Sequence, residues 1–262
     1  MGIAVPFLSE REIEHVATSL LVEFRDLRNE GRIKPPVPVE QILEKHLKLR
    51  LDFDDLHERL CVPRNGEEPD VLGALWAESG EVFIDESLDP YEHPEREGRY
   101  RFTLAHEIGH WCLHKNYLTS PAQQGGDLFG YSKSPTVICR ASEARARIER
   151  QADRFASSLL MPEIWVRILW RDLFSRSSAL VFSAWQDSDW AKPPLGWQGL
   201  GLLTVPIANA FDPRAVEYFF FRASKPMAEA FDVSVQAMRV RLEQLDLLLV
   251  NNPRQQSIHF AT

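Results

Sequence analysis

The sequence contains few cysteines and no long apolar run. Its cysteines are Cys61, Cys112 and Cys139, and no two of them form a Cys-x-x-Cys pair. An odd, sparse set fits a reducing compartment and argues against a zinc site made of thiolates. No apolar stretch approaches the roughly 18 residues that a membrane span needs, and acidic residues interrupt the first thirty positions. We therefore expect a cytoplasmic protein without a membrane partner, in which the cysteines are structural.

Excess positive charge is also missing. The chain has 30 lysines and arginines against 38 acidic residues, a formal net charge of -8. This balance excludes non-specific binding of nucleic acid or anionic membranes by the surface as a whole. With 44% hydrophobic and 26% charged residues over 262 positions, the chain can bury a core as one large or two smaller domains.

The most informative stretch is residues 101–110, which read Arg-Phe-Thr-Leu-Ala-His-Glu-Ile-Gly-His. On a helix, His106 and His110 lie one turn apart, about 6 Å along the axis, so both imidazoles can bind one metal ion. Zinc held by two histidines and a third ligand keeps a position for water, and a nearby carboxylate can take a proton from that water. The motif therefore predicts one Zn²⁺ per chain, with Glu107 as the catalytic base.

Helical phase supports this interpretation over a chance match. One side of the predicted helix is apolar and the other polar. The apolar side consists of Leu104, Ala105, Ile108, Trp111 and Cys112, and the polar side of Thr103, His106, Glu107, His110 and His114. His114 is about 12 Å along the helix from His106, too far for both to join one tetrahedral site. The third ligand should come from another helix.

A second amphipathic helix is predicted from Ser142, its N-cap, to Pro162. Glu149 and Asp153 lie one turn apart at the edge of its apolar stripe. Carboxylates in such places are usually solvated, but here Glu149 can complete a His-His-Glu set. Asp153 can accept the free ring N–H of a ligand histidine and so fix its orientation from the second shell of the site.

The stretches around these helices predict a small sheet. Ser9 and Glu12 form a capping box before a helix that runs to Gly31, and a shorter helix follows. Alternating patterns then predict strands at 47–53, 71–76 and 81–85, the last two joined by a hairpin at Ser79-Gly80. An edge strand of this sheet, expected near Val82 to Ile84, can pair with an extended peptide over the metal. Residues 115–141 predict a long loop, either a lid beside the cleft or a mobile insertion.

Both motifs resemble the ImmA/IrrE family of zinc metallo-endopeptidases. The resemblance rests on residues 101–110 and on Glu149-Arg-Gln-Ala-Asp153 with its continuation to Pro162, and it covers roughly residues 10–165. It implies a gluzincin-like zincin fold with ligands His106, His110 and Glu149 and with Glu107 as base. It also implies a helix-turn-helix repressor as substrate, in stress response or mobile-element regulation. Gln151 departs from the family pattern, in which an acidic residue is often found.

The C-terminal third is less informative. Residues 166–225 hold tryptophans and apolar runs, including residues 216–221, which are interpreted as core with added strands rather than as a peptide-binding surface. Residues 226–262 resemble a helix-turn-helix, with Asp232 at the turn and Ser234 as N-cap. Only Arg239 and Arg241 are basic on its second helix, so we expect a packing or docking module without direct DNA binding.

The sequence thus predicts an α+β protein with three regions. Residues 1–165 form a zincin-like metallopeptidase domain, a small sheet with the His-Glu-x-x-His helix and a third-ligand helix. Residues 166–225 are Trp-rich, and residues 226–262 complete a mainly helical C-terminal region. The main functional hypothesis is a zinc endopeptidase that cuts a specific cytoplasmic protein. The alternative is a zinc-containing regulatory binding protein that acts through its C-terminal module without proteolysis.

An endopeptidase also requires a hydrogen-bond donor for the oxyanion. Candidates near the motif are His114, Tyr100, Tyr117 and Tyr131, and the sequence does not choose among them.

Overall fold

The structure, a computed structural model, describes residues 5–28, 33–64, 70–119, 135–140, 147–183 and 213–251. The chain divides into two compact units, Met1–Pro162 and Glu163–Thr262. Each unit is built around its own helices and its own sheet.

The first unit begins with helix α1, Glu10–Arg28, which starts at the predicted capping box. The Ser9 amide and hydroxyl donate to the Glu12 carboxylate at 2.7 and 2.6 Å, and the Glu12 amide donates back to the Ser9 hydroxyl at 3.3 Å. These bonds satisfy donors that a helix start otherwise leaves unpaired. The predicted short second helix also forms, as α2, Val39–Gln41, followed by a π-helical turn, Ile42–His46.

A four-stranded sheet follows, in the order β1-β3-β2-β4. Its strands are β1, Arg50–Asp54; β2, Val71–Trp76; β3, Glu81–Asp85; and β4, Val137–Arg140. A short helix, α3, Leu56–Arg59, follows β1. The predicted hairpin of β2 and β3 is confirmed: the two strands pair antiparallel, and Gly80 takes the positive φ of 70° that the turn requires.

The sheet corrects two predictions. Strand β3 pairs with β1 on one side and with β2 on the other, so the segment Val82–Ile84 is internal and cannot be the substrate-binding edge that we expected. Strand β4 lies within the stretch that the sequence predicted to be a loop, and it pairs antiparallel with β2. Four residues give too short a pattern to identify such a strand between long irregular segments. Residues Lys115–Leu118 of the same stretch are helical rather than loop, and residues 120–134 and 141 lie outside the described residues.

One helix packs on the sheet, and a second helix packs on the first. Helix α4, Glu97–Gly109, continues into a π-helical turn, His110–His114, and then into α5, Lys115–Leu118. Helix α6 spans Arg147–Leu160 and packs on both α4 and α1. Helix α4 is buried on both sides, unlike the predicted helix with one polar face: Ile108 and Glu107 are both 0% exposed. The predicted N-cap Ser142 lies outside the described residues.

The second unit contains α7, Glu163–Phe174; α8, Pro213–Phe231; and α9, Val235–Gln244. Strands β5, Leu180–Ser183, and β6, Leu248–Asn251, form a parallel pair. Trp170 is fully buried, as the core interpretation predicts. Trp185, Trp190 and Trp197 lie outside the described residues.

Helix α8 corrects the strand-like interpretation of residues 216–221, which are helical. It also continues through residue 225, where the sequence analysis divides two regions. The predicted Ser234 cap forms, because its side chain accepts the Ala237 amide at 3.1 Å, and Asp232 takes a positive φ of 54° between the helices. None of the helices that the structure describes has the length and apolar composition needed to span a bilayer.

Candidate metal centre

Three potential metal ligands converge where α4 meets α6. Nε2 of His106 lies 2.9 Å from Nε2 of His110 and 3.1 Å from Oε2 of Glu149, and Nε2 of His110 lies 3.6 Å from the same oxygen. In a tetrahedral site with bonds of about 2.0 to 2.1 Å, ligand atoms are separated by about 3.3 Å. The three distances bracket that value. The donor atoms therefore already stand at the spacing of a metal coordination shell.

Asp153 lies one helical turn beyond Glu149, on the other side of the His106 ring. Nδ1 of His106 is 3.0 Å from Oδ1 of Asp153. Since a carboxylate only accepts, Nδ1 carries a hydrogen and Nε2 is the atom free for a cation. Burial by itself lowers the pKa of His106, but contacts with Cys139, Asp153 and Glu149 outweigh it and raise the pKa well above its ordinary value. The site therefore attracts positive charge at Nε2.

Glu107 lies beside these groups, fully enclosed. It is 0% exposed, and neither carboxylate oxygen has a hydrogen-bond partner among the described residues. Burial raises the pKa of Glu107 to about 8. A buried carboxylate with no partner is costly in a purely structural setting, so it marks a functional group.

His110 and His114 form a second contact, on the side of the His110 ring away from the other ligands. Their Nδ1 atoms are 3.2 Å apart, and Nε2 of His114 is 2.9 Å from Oε1 of Gln151. Burial lowers the pKa of His110 to about 4 and also lowers the pKa of His114. Burial therefore disfavours the charged form of both rings.

Two neighbours of the site were not singled out in the sequence. Cys139 on β4 lies with His106 and Glu107, and potential ligand atoms of the three residues are within 4.8 Å of one another. Gly73 on β2 lies against Glu107, because a Cβ atom there would be 2.7 Å from Oε1 of Glu107. Cys139 lay in a predicted loop and Gly73 in an ordinary strand pattern, so no local signal could identify either residue.

The oxyanion candidates occupy different places. The Tyr100 ring is buried, and its hydroxyl donates to Oε1 of Glu40 at 2.7 Å, away from the three ligand atoms. His114 lies behind His110, as described above. Tyr117 is exposed on α5, and Tyr131 lies outside the described residues. The structure thus joins His106, His110, Glu149, Asp153 and Glu107 in one cluster. Of the three described candidates, His114 contacts this cluster, through His110.

The cluster has the chemistry of a divalent cation site. His106, His110 and Glu149 form a group able to hold a metal ion, with the nitrogen and oxygen donors that suit zinc. The unpartnered Glu107 carboxylate beside them matches a site that keeps one position open for water. A metal fits these residues.

The comparison with known protein families points to a metallopeptidase-like domain. Residues 76–176 match the model of the peptidase family M78, described as the IrrE N-terminal-like domain. The match agrees with the resemblance that the motifs predicted, and it supports a peptidase. No curated protein is significantly similar to the chain.

Proposed function

We propose that the protein is a zinc-dependent endopeptidase with His106, His110 and Glu149 as metal ligands and Glu107 as catalytic base. The observation that carries the proposal is the enclosed, unpartnered carboxylate of Glu107 beside three convergent donor atoms. A structural zinc site prefers four closed protein ligands and has no use for a free carboxylate. This feature favours the enzyme over the alternative of a zinc-holding binding protein.

Each residue has a defined task in this proposal. Zinc, when bound, supplies a Lewis acid that polarises the scissile carbonyl and acidifies water. Glu107 takes a proton from the attacking water and passes it to the leaving amine. Asp153 accepts the Nδ1 hydrogen of His106 at 3.0 Å, which fixes the ring with Nε2 toward the site. The Glu107 carboxylate is fully buried, with Gly73 of β2 against it, which keeps bulk water away.

Two substitutions test the proposal. Glu107→Gln should retain about one zinc per chain and abolish cleavage, because it removes proton transfer without touching a ligand. Glu149→Ala should lose zinc, because three-ligand sites seldom survive the loss of one ligand. Zinc content by atomic absorption and peptide cleavage by mass spectrometry report the two results. Cleavage by Glu107→Gln at the parent rate would refute the mechanism, and full zinc occupancy in Glu149→Ala would refute the ligand set.

For substrate, we propose a cytoplasmic protein, in particular a helix-turn-helix repressor whose removal switches on stress-response or mobile-element genes. Strand β4 supports binding of an extended segment of it. Among the described residues β4 pairs on one side only, with β2, and Cys139 on β4 lies beside His106. A peptide added to the open side of β4 would pass next to the cluster.

The C-terminal helices fit a docking role better than DNA reading. Arg239 on α9 is held by Glu217 at 2.6 Å and by Glu243 at 3.0 Å, and Arg241 is 0% exposed. Neither arginine of α9 is therefore presented for phosphate contacts. We propose that α8 and α9 help to select the protein substrate, and direct DNA binding is not part of the proposal.

The substrate proposal is tested with the zinc-loaded protein. It should be incubated with repressor-like products of neighbouring genes and, separately, with unfolded casein, and any cuts mapped by mass spectrometry. We expect cleavage of one repressor at one or a few sites and little cutting of casein. Rapid digestion of casein without repressor cleavage would instead define a general degradative peptidase.

A further inference from the structure

We infer that a buried hydrogen-bond chain, from the Pro6 carbonyl through Gln151 and His114 to His110, sets the tautomer of His110 and thereby the metal affinity of the site. The residues of this chain are positioning residues, because they act on the site through His110. The inference deepens the proposed function and rests on the proposed metal centre.

The orientation of the Gln151 amide is fixed at its outer end. Nε2 of Gln151 lies 2.9 Å from the backbone oxygen of Pro6. A backbone carbonyl can only accept a hydrogen bond, so the amide nitrogen must face it and the amide oxygen must face the other way. Arg147, one turn earlier on α6, donates to the backbone oxygen of Val5 at 3.2 Å. Two hydrogen bonds from α6 therefore hold the segment Val5-Pro6, whose Pro6 carbonyl orients the Gln151 amide.

The positions of the ring hydrogens follow in order from Gln151 to His114 and then to His110. Oε1 of Gln151 lies 2.9 Å from Nε2 of His114, and since the oxygen accepts, Nε2 carries the hydrogen. Nδ1 of His114 is then the ring atom left to accept a hydrogen bond, and it lies 3.2 Å from Nδ1 of His110. His110 must donate across this contact, so its own hydrogen is on Nδ1. Its Nε2 is left bare and faces His106 and Glu149.

Burial makes this order of protons difficult to change. His110 is 0% exposed, His114 1% and Gln151 4%, so water does not replace a missing partner. The hydrogen-bond chain provides an acceptor for the Nδ1 hydrogen of His110, as Asp153 does for the Nδ1 hydrogen of His106. The acceptor for His110 is a ring nitrogen rather than a carboxylate. It also accounts for the glutamine at position 151, where the family resemblance led us to expect an acidic residue.

The metal-free protein offers the first test. Two-dimensional ¹⁵N NMR of the histidine rings distinguishes Nδ1–H from Nε2–H tautomers. We expect the Nδ1–H form for His110 and the Nε2–H form for His114 in the parent protein. The opposite form of His110 would overturn the inference directly, without any variant and whether or not the protein cleaves peptides.

Zinc affinity, measured by competition with a chromophoric chelator, offers the second test. Gln151→Met keeps the side-chain length but removes the acceptor for His114, and His114→Phe removes the acceptor for His110. Each should weaken zinc binding by about 10- to 100-fold, the usual effect of losing an outer partner of a ligand histidine. The double variant should be no weaker than His114→Phe alone, because both changes break one chain. Circular dichroism should show that each variant is folded at the assay temperature.

Ser158→Ala is the matched control. Ser158 is also buried on α6 and donates to Glu14 at 2.6 Å. The variant therefore loses a part-buried hydrogen bond that does not belong to the hydrogen-bond chain through Gln151 and His114. It should bind zinc as the parent protein does. If the parent protein binds zinc and Gln151→Met binds it within twofold as tightly, the inference fails and the metal centre stands. If the parent protein binds no zinc, the metal centre and the inference fail together.

Discussion

At the scale of single residues, Glu107 combines full burial with a carboxylate that has no partner among the described residues. Such a group destabilises the folded state much more when it is ionised than when it is protonated, since burial penalises the charged form. Its pKa of about 8, against an ordinary value of 4.5, means that the folded metal-free protein holds a proton which the unfolded chain releases. Stability should therefore fall as pH rises through the window from 4.5 to about 8.

Glu107→Gln tests this directly in zinc-free protein. Glutamine does not ionise, so the variant should be more stable than the parent protein at pH 8, by an amount on the order of a few kcal/mol. The difference should shrink as pH falls toward 4.5, where the parent carboxyl is protonated in both states. Urea unfolding at pH 5, 6.5 and 8 measures it. A difference that stays constant across these pH values would show that Glu107 is ionised in the folded protein.

At the scale of elements, the close approach of α4 and α6 brings ligands from two helices together. Gly109 permits it, because a Cβ atom there would be 3.1 Å from Cδ1 of Phe155 and 3.2 Å from both Cα and O of Ala152. Contact with backbone atoms cannot be relieved by a rotamer change, so a larger residue must push the helices apart.

We therefore expect Gly109→Ala to lower the free energy of unfolding by about 1 to 3 kcal/mol, the usual range for overpacking, and to weaken zinc binding. Alanine is intrinsically a better helix former than glycine by about 1 kcal/mol. A lower free energy of unfolding would therefore show that overpacking outweighs helix propensity, and a higher one would show the reverse. Urea unfolding of the metal-free variant gives the stability and chelator competition the affinity. A more stable variant with parental zinc affinity would show that the helices can separate without cost.

The elements also show how far sequence reasoning reaches. Ser9 and Glu12, the β2–β3 hairpin and the Ser234 cap were predictable, because local side chains determine each of them. The convergence of His106 with Glu149 could be proposed from spacing and chemistry. The placement of Cys139 and Gly73 around the cluster could not, because it depends on which strands pair, and pairing over long separations leaves no local pattern. The internal position of β3 was mispredicted for the same reason.

At the scale of the whole molecule, the net charge of -8 should attract a basic protein substrate before the two proteins are in contact. Attraction of this kind is screened by salt, since the Debye length falls from about 10 Å at 0.1 M to about 3 Å at 1 M. We expect kcat/KM for a basic repressor to fall at least several-fold between 0.05 and 0.5 M NaCl, about the range over which steering is lost. A short neutral peptide with the same cleavage sequence is the control. Equal salt dependence for both would place the effect in the active site instead.

The π-helical turn His110–His114 has a consequence for protein engineering. It begins at His110 itself, and it ends at His114, the residue whose ring accepts the His110 hydrogen. A designer who grafts only the five residues from His106 to His110 onto a regular helix would transfer two ligands and the base. The graft would leave behind both the wider turn and the support for the second imidazole. The portable unit of this site is therefore the nine residues from His106 to His114 together with the facing stretch of α6, and grafts of the shorter motif should bind metal poorly even when their ligand geometry is copied well.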